Sequence, residues 1–534
     1  MRVPIRRRLL ALPIAAVTAV ALASCTVSGG ADPAAVASSQ AAAGNDQPRQ
    51  GGTLNVAIGA DLATLDPSKG SANTMALVGS AVYDTLMVVP KIGDLPQPNL
   101  AQSLTESADK MSWEMKLPTG VKFSDGTPFD AEAVKFNLDR NRAEGSTAAA
   151  LLSSIDSVEV ADPATVTIKM KHPFSNLPYA FSYDGSGTAG YVASPTALKQ
   201  YGDDYTAHAA GVGPYKLQSW APGQPVELVR NPDYWNKDKQ VYLDKVVVKT
   251  IADPQSAYQA LLAGDIDLMA TVSPTLMKTA KENPQVNFVQ GVGADQDSII
   301  LNVTRPPFDD VRVREALSKA LNRQEIVDLT TEGLGKPAVN LFPEGNPFHS
   351  PAADPAYDVA GAKQLLAAYE ADTGKKATFN YTCSNVRPAS DVIVNQLKAA
   401  GFDVKFDALE PSAWLDQFFG KKYSAICWTM AGFLTPDLLP YRFLHSTGDL
   451  NTGGFKSAAF DEKADAARTA TPEEQKTLWA EADTVLTKEL PWVWTTSAPI
   501  GFVWSKKVHS VDFDEPARLR YSVPSFVNAW LQEG

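Results

Sequence analysis

The side chains best suited to metal, nucleophilic or acid–base chemistry are few in this 534-residue chain, and they are scattered. The five histidines are His172, His208, His349, His445 and His509. No two of them fall at the three-to-five-residue spacing that lets one turn or helix present a pair of ligands to zinc. Cys25, Cys383 and Cys427 have no neighbouring cysteine or histidine, so no metal site is expected. The run Gly185-Ser186-Gly187-Thr188-Ala189-Gly190 has the glycine density of a phosphate cradle. It lacks the Lys-Ser/Thr that follows in a P-loop and reads as a loop beside a cleft. No Gly-x-Ser-x-Gly elbow is present to raise a serine nucleophile. With 60 acidic residues in the chain, carboxylate pairs are too common to mark a site. The sequence therefore points away from an enzyme, and no cofactor is expected.

Charge and the N-terminus narrow the classes further. The formal net charge is −12. Residues 1–24 hold Arg2, Arg6, Arg7 and Arg8 and no acid, so their removal leaves 44 basic against 60 acidic residues and a net charge of −16. Such a surface repels phosphate backbones, and nucleic acid is not an expected partner. Arg6–Arg8 followed by the apolar stretch 9–23 reads as an export signal over 1–24, too short for a comfortable membrane span. It ends Leu22-Ala23-Ser24-Cys25, which resembles a lipobox and marks Cys25 for acylation. The paired arginines leave Sec and twin-arginine export both open. Residues 25–50 are rich in Ala, Ser, Gly and Gln; they cannot bury enough apolar surface to order themselves and read as a tether. In an oxidising compartment Cys383 and Cys427 are free to pair or to stay as buried thiols.

The rest of the chain is expected to be globular, with 44% hydrophobic residues and enough length for more than one core. Period-two alternation predicts strands at Leu54, Val56 and Ile58; at Trp113, Met115 and Leu117; at 158–160 and 166–170; and at Val226 and Leu228. Asp130 is placed to cap a helix from Ala131, with Phe129 and Val134 spaced as a staple. Val313, Ala316, Leu317, Ala320 and Leu321 form one helical face. Asn322 and Glu325 have the spacing of a capping box. From 376 to 430 the order is strand, helix, strand, helix, strand, which implies an α/β layer with ligand access at the strand carboxyl ends.

Several segments together resemble the peptide/nickel branch of bacterial solute-binding proteins, family 5. They are Gly51-Gly52-Thr53-Leu54, Thr64-Leu65-Asp66-Pro67, Val82-Tyr83-Asp84-Thr85-Leu86, and the run from Trp113 through Gly120-Val121-Lys122-Phe123-Ser124-Asp125-Gly126-Thr127-Pro128-Phe129-Asp130-Ala131. Gly211-Val212-Gly213-Pro214-Tyr215, Arg230-Asn231-Pro232-Asp233-Tyr234-Trp235, Ala263-Gly264-Asp265-Ile266-Asp267 and Pro306-Pro307-Phe308-Asp309-Asp310-Val311-Arg312 follow in the family's order. Gly126 and Gly213 suit tight turns. The resemblance implies an α/β, two-lobed periplasmic-binding-protein-like fold (type II, cluster C-like) with an extra domain inserted in the first lobe. Lobe I would comprise 51–82, 207–298 and 505–534, the inserted domain 83–206, and lobe II 299–504, with hinge crossings near 299 and 504.

The implied function is an extracytoplasmic, monomeric, lipid-anchored binding protein. It would capture a short peptide or peptide-like solute in a hinged cleft and deliver it to an ABC permease and ATPase complex. A non-peptide solute (oligosaccharide, opine-like or metal chelate) and a sensor without a transport role are the alternatives. The resemblance implies a cleft lined by Ser71, Ala72 and Asn73 after the Leu-Asp-Pro motif, by Tyr183 and Asp184 from the inserted domain, and by Asn385, Arg387, Trp428, Thr429 and Met430 at the lobe II strand ends. Peptide binders of the family carry Trp-x-x-Asp here, whose carboxylate meets the peptide ammonium. In this chain Trp428 is followed by Thr429, Met430 and Ala431, and the nearest acid is Asp437. A weak dependence on a free peptide N-terminus is the expectation.

Overall fold

Leu54 and Val56 point inward from strand Thr53–Ile58 and are buried, as their alternation predicts. The computed structural model describes residues 47–70, 72–90, 94–182, 188–344, 346–385, 388–430, 435–437, 439–509 and 526–532, without the side chains of 72–74, 76, 292–294 and 388. The export signal, Cys25 and nearly all of the tether lie outside the described residues.

One large mixed sheet organises the molecule. Its strands run in the order Asp403–Leu409, Thr378–Ser384, Ala425–Met430, Val286–Leu301, Trp492–Ser505, Leu268–Thr271, Thr53–Ile58, Lys245–Thr250, Val226–Arg230 and Tyr215–Ser219. The two long central strands, Val286–Leu301 and Trp492–Ser505, are antiparallel partners that belong to both halves of the sheet. Residues 296–301 pair with Ala425–Met430 on one side, while 501–504 pair with Leu268–Thr271 on the other. Their ladder is interrupted between Val292 and Gln296, opposite Pro499 and Ser497, which lies N-terminal to positions 299 and 504 in each strand. The fold is therefore two-lobed, with helices packed on each half.

A second sheet of four antiparallel strands, in the order Ser103–Glu106, Ser112–Lys116, Thr165–Met170 and Ile155–Asp162, has its own core. Trp113, Met115, Val158, Val166 and Ile168 from the strands pack on Val134 and Leu138 of helix Ala131–Arg142. Asp130 caps that helix by accepting from the Ala133 amide at 3.0 Å.

From 378 to 430 the chain forms strand Thr378–Ser384, helix Pro388–Ala400, strand Asp403–Leu409, helix Pro411–Phe419 and strand Ala425–Met430, with the strands parallel. Cys383 and Cys427 are disulfide-bonded between neighbouring strands, with their Cα atoms 5.1 Å apart.

Two local expectations are corrected. Asn322 does cap helix Arg323–Thr330 through the Glu325 amide at 3.1 Å. The reciprocal half of the box is missing, because Gln396 donates to the Glu325 carboxylate at 2.8 Å and its own carbonyl oxygen takes the Asn322 amide at 3.0 Å. Gly126 sits in a turn at φ 87°, as expected, but Gly213 is needed for a different reason. A Cβ there would lie 2.4 Å from the Ala81 carbonyl oxygen, so only glycine allows the two backbones to approach.

Candidate ligand-binding cleft

The sequence motifs that stand out most are joints between elements. Asp66 is nearly fully buried and takes both guanidinium nitrogens of Arg140 at 2.5 Å, along with the Ser68 amide and hydroxyl at 3.0 Å. Burial alone would raise its carboxyl, but the Arg140 charge and hydrogen bonds together hold it below the usual carboxylate range. Asp84 accepts from the Tyr234 hydroxyl at 2.8 Å, the Trp235 indole at 3.1 Å and Asn99 at 2.6 Å, which ties two distant motifs together. Asn231 donates to the Gly213 carbonyl at 2.9 Å. Gly264 closes helix Pro254–Ala263 at φ 84°, and the fully buried Asp267 accepts from the Asn55 amide at 2.8 Å and pairs with Lys507 at 2.7 Å.

A polar row crosses neighbouring strands of the second lobe. Thr429 stands opposite Asp297 in register and donates to its carboxylate at 2.6 Å. Thr496 reaches the other carboxylate oxygen at 3.3 Å from the far strand. Tyr381 and Thr382 pair with Ala425 and Ile426, and continuing that register sets the exposed Asn385, in a left-handed conformation at φ 60°, beside Thr429. On the opposite face of the same strand, Trp428 lies half-buried in an aromatic stack. Its ring centroid is 4.6 Å from Phe418, 5.1 Å from Phe443 and 5.4 Å from Trp414. Met430 is buried in that aromatic core, so its backbone is the part nearest the rim.

Of the other predicted lining residues, Ala72 and Asn73 open helix Ala72–Val82. Ser71, Tyr183, Asp184 and Arg387 lie outside the described residues, as does 185–187 of the glycine-rich run. Asp297 and Thr496 were not singled out from the sequence, although Asp295-Gln296-Asp297-Ser298 is a conspicuously polar run within a strand that is otherwise apolar at its ends.

Between the body carrying the four-stranded sheet and the second lobe there is a direct contact. The Asn176 amide donates to the Asp437 carboxylate, and both residues are buried. The acid nearest to Trp428 is thus already engaged. A separate cavity of about 380 Å³ beside helix Ala131–Arg142 is lined by Glu132, Lys135, Phe136, Asp139 and Arg140 and by none of the strand-end residues.

The family model for bacterial extracellular solute-binding proteins, family 5 Middle, matches residues 96–451, well over half of the chain. The chain belongs to this family. Family 5 proteins are transport components rather than enzymes, and this one is the solute-binding member of an ABC importer, acting outside the cytoplasm. Among the described residues no helix is long and apolar enough to cross a membrane. The glutathione-binding protein GsiB of Salmonella choleraesuis is 29% identical over 461 residues, covering 82% of this chain and 87% of that protein. The fold matches the periplasmic binding protein DppA from Helicobacter pylori in complex with the peptide STSA, with a TM-score of 0.77 and 23% identity over 91% of this chain and 99% of that one. It also matches NikZ from Campylobacter jejuni in complex with Ni(L-His), with a TM-score of 0.72 and 21% identity over 86% and 95%. Of these two proteins of like fold, one holds a peptide and the other a nickel–histidine complex.

Proposed function

We propose that this family 5 protein, monomeric and anchored through an acylated Cys25, captures a short peptide or peptide-like solute and hands it to the importer's permease. The observation that carries the reading is the polar row Asn385, Thr429, Asp297 and Thr496, which crosses four neighbouring strands. It lines up an amide, two hydroxyls and a carboxylate across the sheet at about the interstrand spacing, a polar surface that suits a peptide-like backbone. The likeness to glutathione-binding relatives, which take a tripeptide, supports the same class. Lobe I is assigned to 51–82, 207–298 and 505–534, the inserted domain to 83–206 and lobe II to 299–504. The hinge is taken as the interrupted ladder at 292–296 and 497–499, which shifts both lobe I–lobe II boundaries from 299 and 504 to that segment, because 296–298 pair with the second lobe and 501–504 with the first. Ser71, Ala72, Asn73, Tyr183, Asp184, Arg387, Trp428 and Met430 complete the proposed lining. Mass spectrometry of the solute that co-purifies with protein isolated from its own membrane tests the class directly. A carbohydrate or a metal chelate there would replace the peptide reading.

Two further outcomes are expected. Cys25→Ala should move the protein from the membrane to the medium or soluble fraction with its circular dichroism unchanged. Membrane retention of that variant would remove the lipid anchor. The second concerns the solute's N-terminus. A desolvated carboxylate–ammonium bond is worth about 1.5–3 kcal/mol, but the strand after Trp428 supplies no acid, Asp437 is engaged by Asn176, and both carboxylate oxygens of Asp297 already accept from the Thr429 and Thr496 hydroxyls. N-acetylation of a bound peptide should therefore change its affinity by less than about tenfold in calorimetry. A loss near a hundredfold, about 2.7 kcal/mol, would show that an ammonium site exists.

A further inference from the structure

The contact between the body carrying the four-stranded sheet and the second lobe has a built interior. Arg468 reaches across from the second lobe, half-buried, with its guanidinium carbon 5.2 Å from the ring centre of Phe174 on the far side and 4.5 Å from that of Tyr441 on its own. It donates to the Ser154 hydroxyl at 3.3 Å, and its carbonyl accepts from the Ser175 amide at 3.2 Å. Lys110 adds a hydrogen bond to the Thr469 carbonyl at 2.7 Å. Beside this, the Asn176 amide meets Asp437, and both side chains are more than nine-tenths buried. Every contact that crosses between the two bodies joins residues more than 250 positions apart, and none involves the residues assigned to the solute.

We propose that Asn176, Ser154 and Phe174 on one side and Asp437 and Arg468 on the other form a clamp that sets the balance of open and closed forms without bound solute. The inference rests on the hinged reading of the two lobes. A cation between two aromatic rings and a buried amide–carboxylate bond form only when the lobes meet, so their free energy is released on closure alone. Solute then needs to supply only the remainder, and apparent affinity scales with the fraction of protein already competent to close.

The clamp is also linked to protons. Burial pushes the Asp437 carboxyl up to about 6, against the lowering pull of Arg468 and of the Asn176 hydrogen bond. Among the described residues the charged and titratable groups coupled to it are Arg468 and Tyr179; burial together with the Asp437 charge pushes the Tyr179 hydroxyl up to about 12. In an open form Asp437 faces water and returns to about 3.9. Because the closed form has the higher value, closure takes up a proton. Its contribution is complete below about pH 4 and is lost as pH rises through 6. The gap corresponds to about a hundredfold fall in the closed-to-open ratio between pH 4 and pH 8.

Small-angle scattering of protein freed of solute by unfolding and refolding tests this. The wild type should have a smaller radius of gyration at pH 5 than at pH 8. Asp437→Asn, neutral at every pH and still able to accept from Asn176, should stay compact at both. Arg468→Ala should be expanded at pH 8. Asn176→Trp, a wedge in the contact, serves as the control for the hinge itself. If the wedge expands the protein while pH, Asp437→Asn and Arg468→Ala leave the radius unchanged, the clamp is wrong and the hinge stands. If the wedge also leaves it unchanged, the hinge reading fails and the clamp with it.

Discussion

Replacing both Cys383 and Cys427 with alanine should lower the stability of the folded chain by about 4 kcal/mol in urea under oxidising conditions. The two residues sit on adjacent parallel strands and are almost completely buried. They are 44 positions apart in sequence, and closing a loop of that length removes about 4 kcal/mol of conformational freedom from the unfolded chain on the chain-entropy model. Only a small packing loss adds to this, since each alanine removes one sulfur. Reductant should bring the wild type to the midpoint of the variant while leaving the variant itself unmoved. Equal midpoints in oxidised wild type and variant would mean that the bond does not form in solution. The effect should extend to binding, because Asn385 and Thr429 lie two residues beyond the cross-linked positions on their strands. The bond fixes the spacing of the ends that are proposed to meet the solute.

The strands were legible because their chemistry is local. Leu54 and Val56 alternate on one strand, Val166 and Ile168 on another, and in each case the buried face follows from a period of two. The strand–helix alternation from 378 to 430 was legible for the same reason. What escaped the sequence depends on partners that are distant along the chain. Glu325 has the spacing of a capping box, yet Gln396 on a neighbouring helix takes its carboxylate. Gly213 looks like a turn glycine, and only the proximity of Ala81 and Val82 reveals that it is a close-approach glycine. The break in the central ladder at 292–296 leaves no compositional mark beyond Gly291 and Gly293.

The cleft was less legible than the fold, and for a physical reason. The family 5 motifs are specific because they satisfy polar groups such as the buried Asp66 and Asp267 and the half-buried Asp84, whose orphaning would cost the fold dearly. Residues that meet a solute need satisfy nothing until the solute arrives, and they leave no such pattern. Trp428 illustrates the limit. Its place near a strand's carboxyl end suits a cleft wall, and nothing local announces that Trp414, Phe418 and Phe443 pack on its ring from two other helices. The pairing of Asn176 with Asp437 across 261 positions has no local signature at all.

The second large effect is expected inside the second lobe, at an ion pair that the sequence does not announce. Arg323 opens helix Arg323–Thr330 with its side chain only 6% exposed, and its partner Asp354 is 1% exposed at 3.0 Å. The guanidinium also donates to the Trp494 carbonyl at 2.8 Å and to the Ser318 hydroxyl at 2.8 Å, while Asp354 accepts from the Trp494 amide at 3.1 Å. The pair thus ties a helix, a loop and the long central strand together. Burial pushes the Asp354 carboxyl up to about 7 even with Arg323 beside it. Arg323→Met removes the compensating charge and raises the carboxyl further, so beyond the lost hydrogen bonds its cost should grow by about 1.4 kcal/mol for each pH unit above 7, toward about 3–5 kcal/mol. The folded-state value then lies well above the unfolded one. The charge penalty is therefore absent below about pH 4 and fully in place once pH exceeds the folded value. Urea midpoints of variant and wild type should approach each other toward pH 5 and separate toward pH 8. Adding Asp354→Asn, which keeps a carbonyl for the Trp494 amide and carries no charge, should remove the part of the loss that grows with pH. A pH-independent gap, or no recovery in the double variant, would assign the loss to the missing Arg323 hydrogen bonds and packing rather than to an uncompensated buried carboxylate.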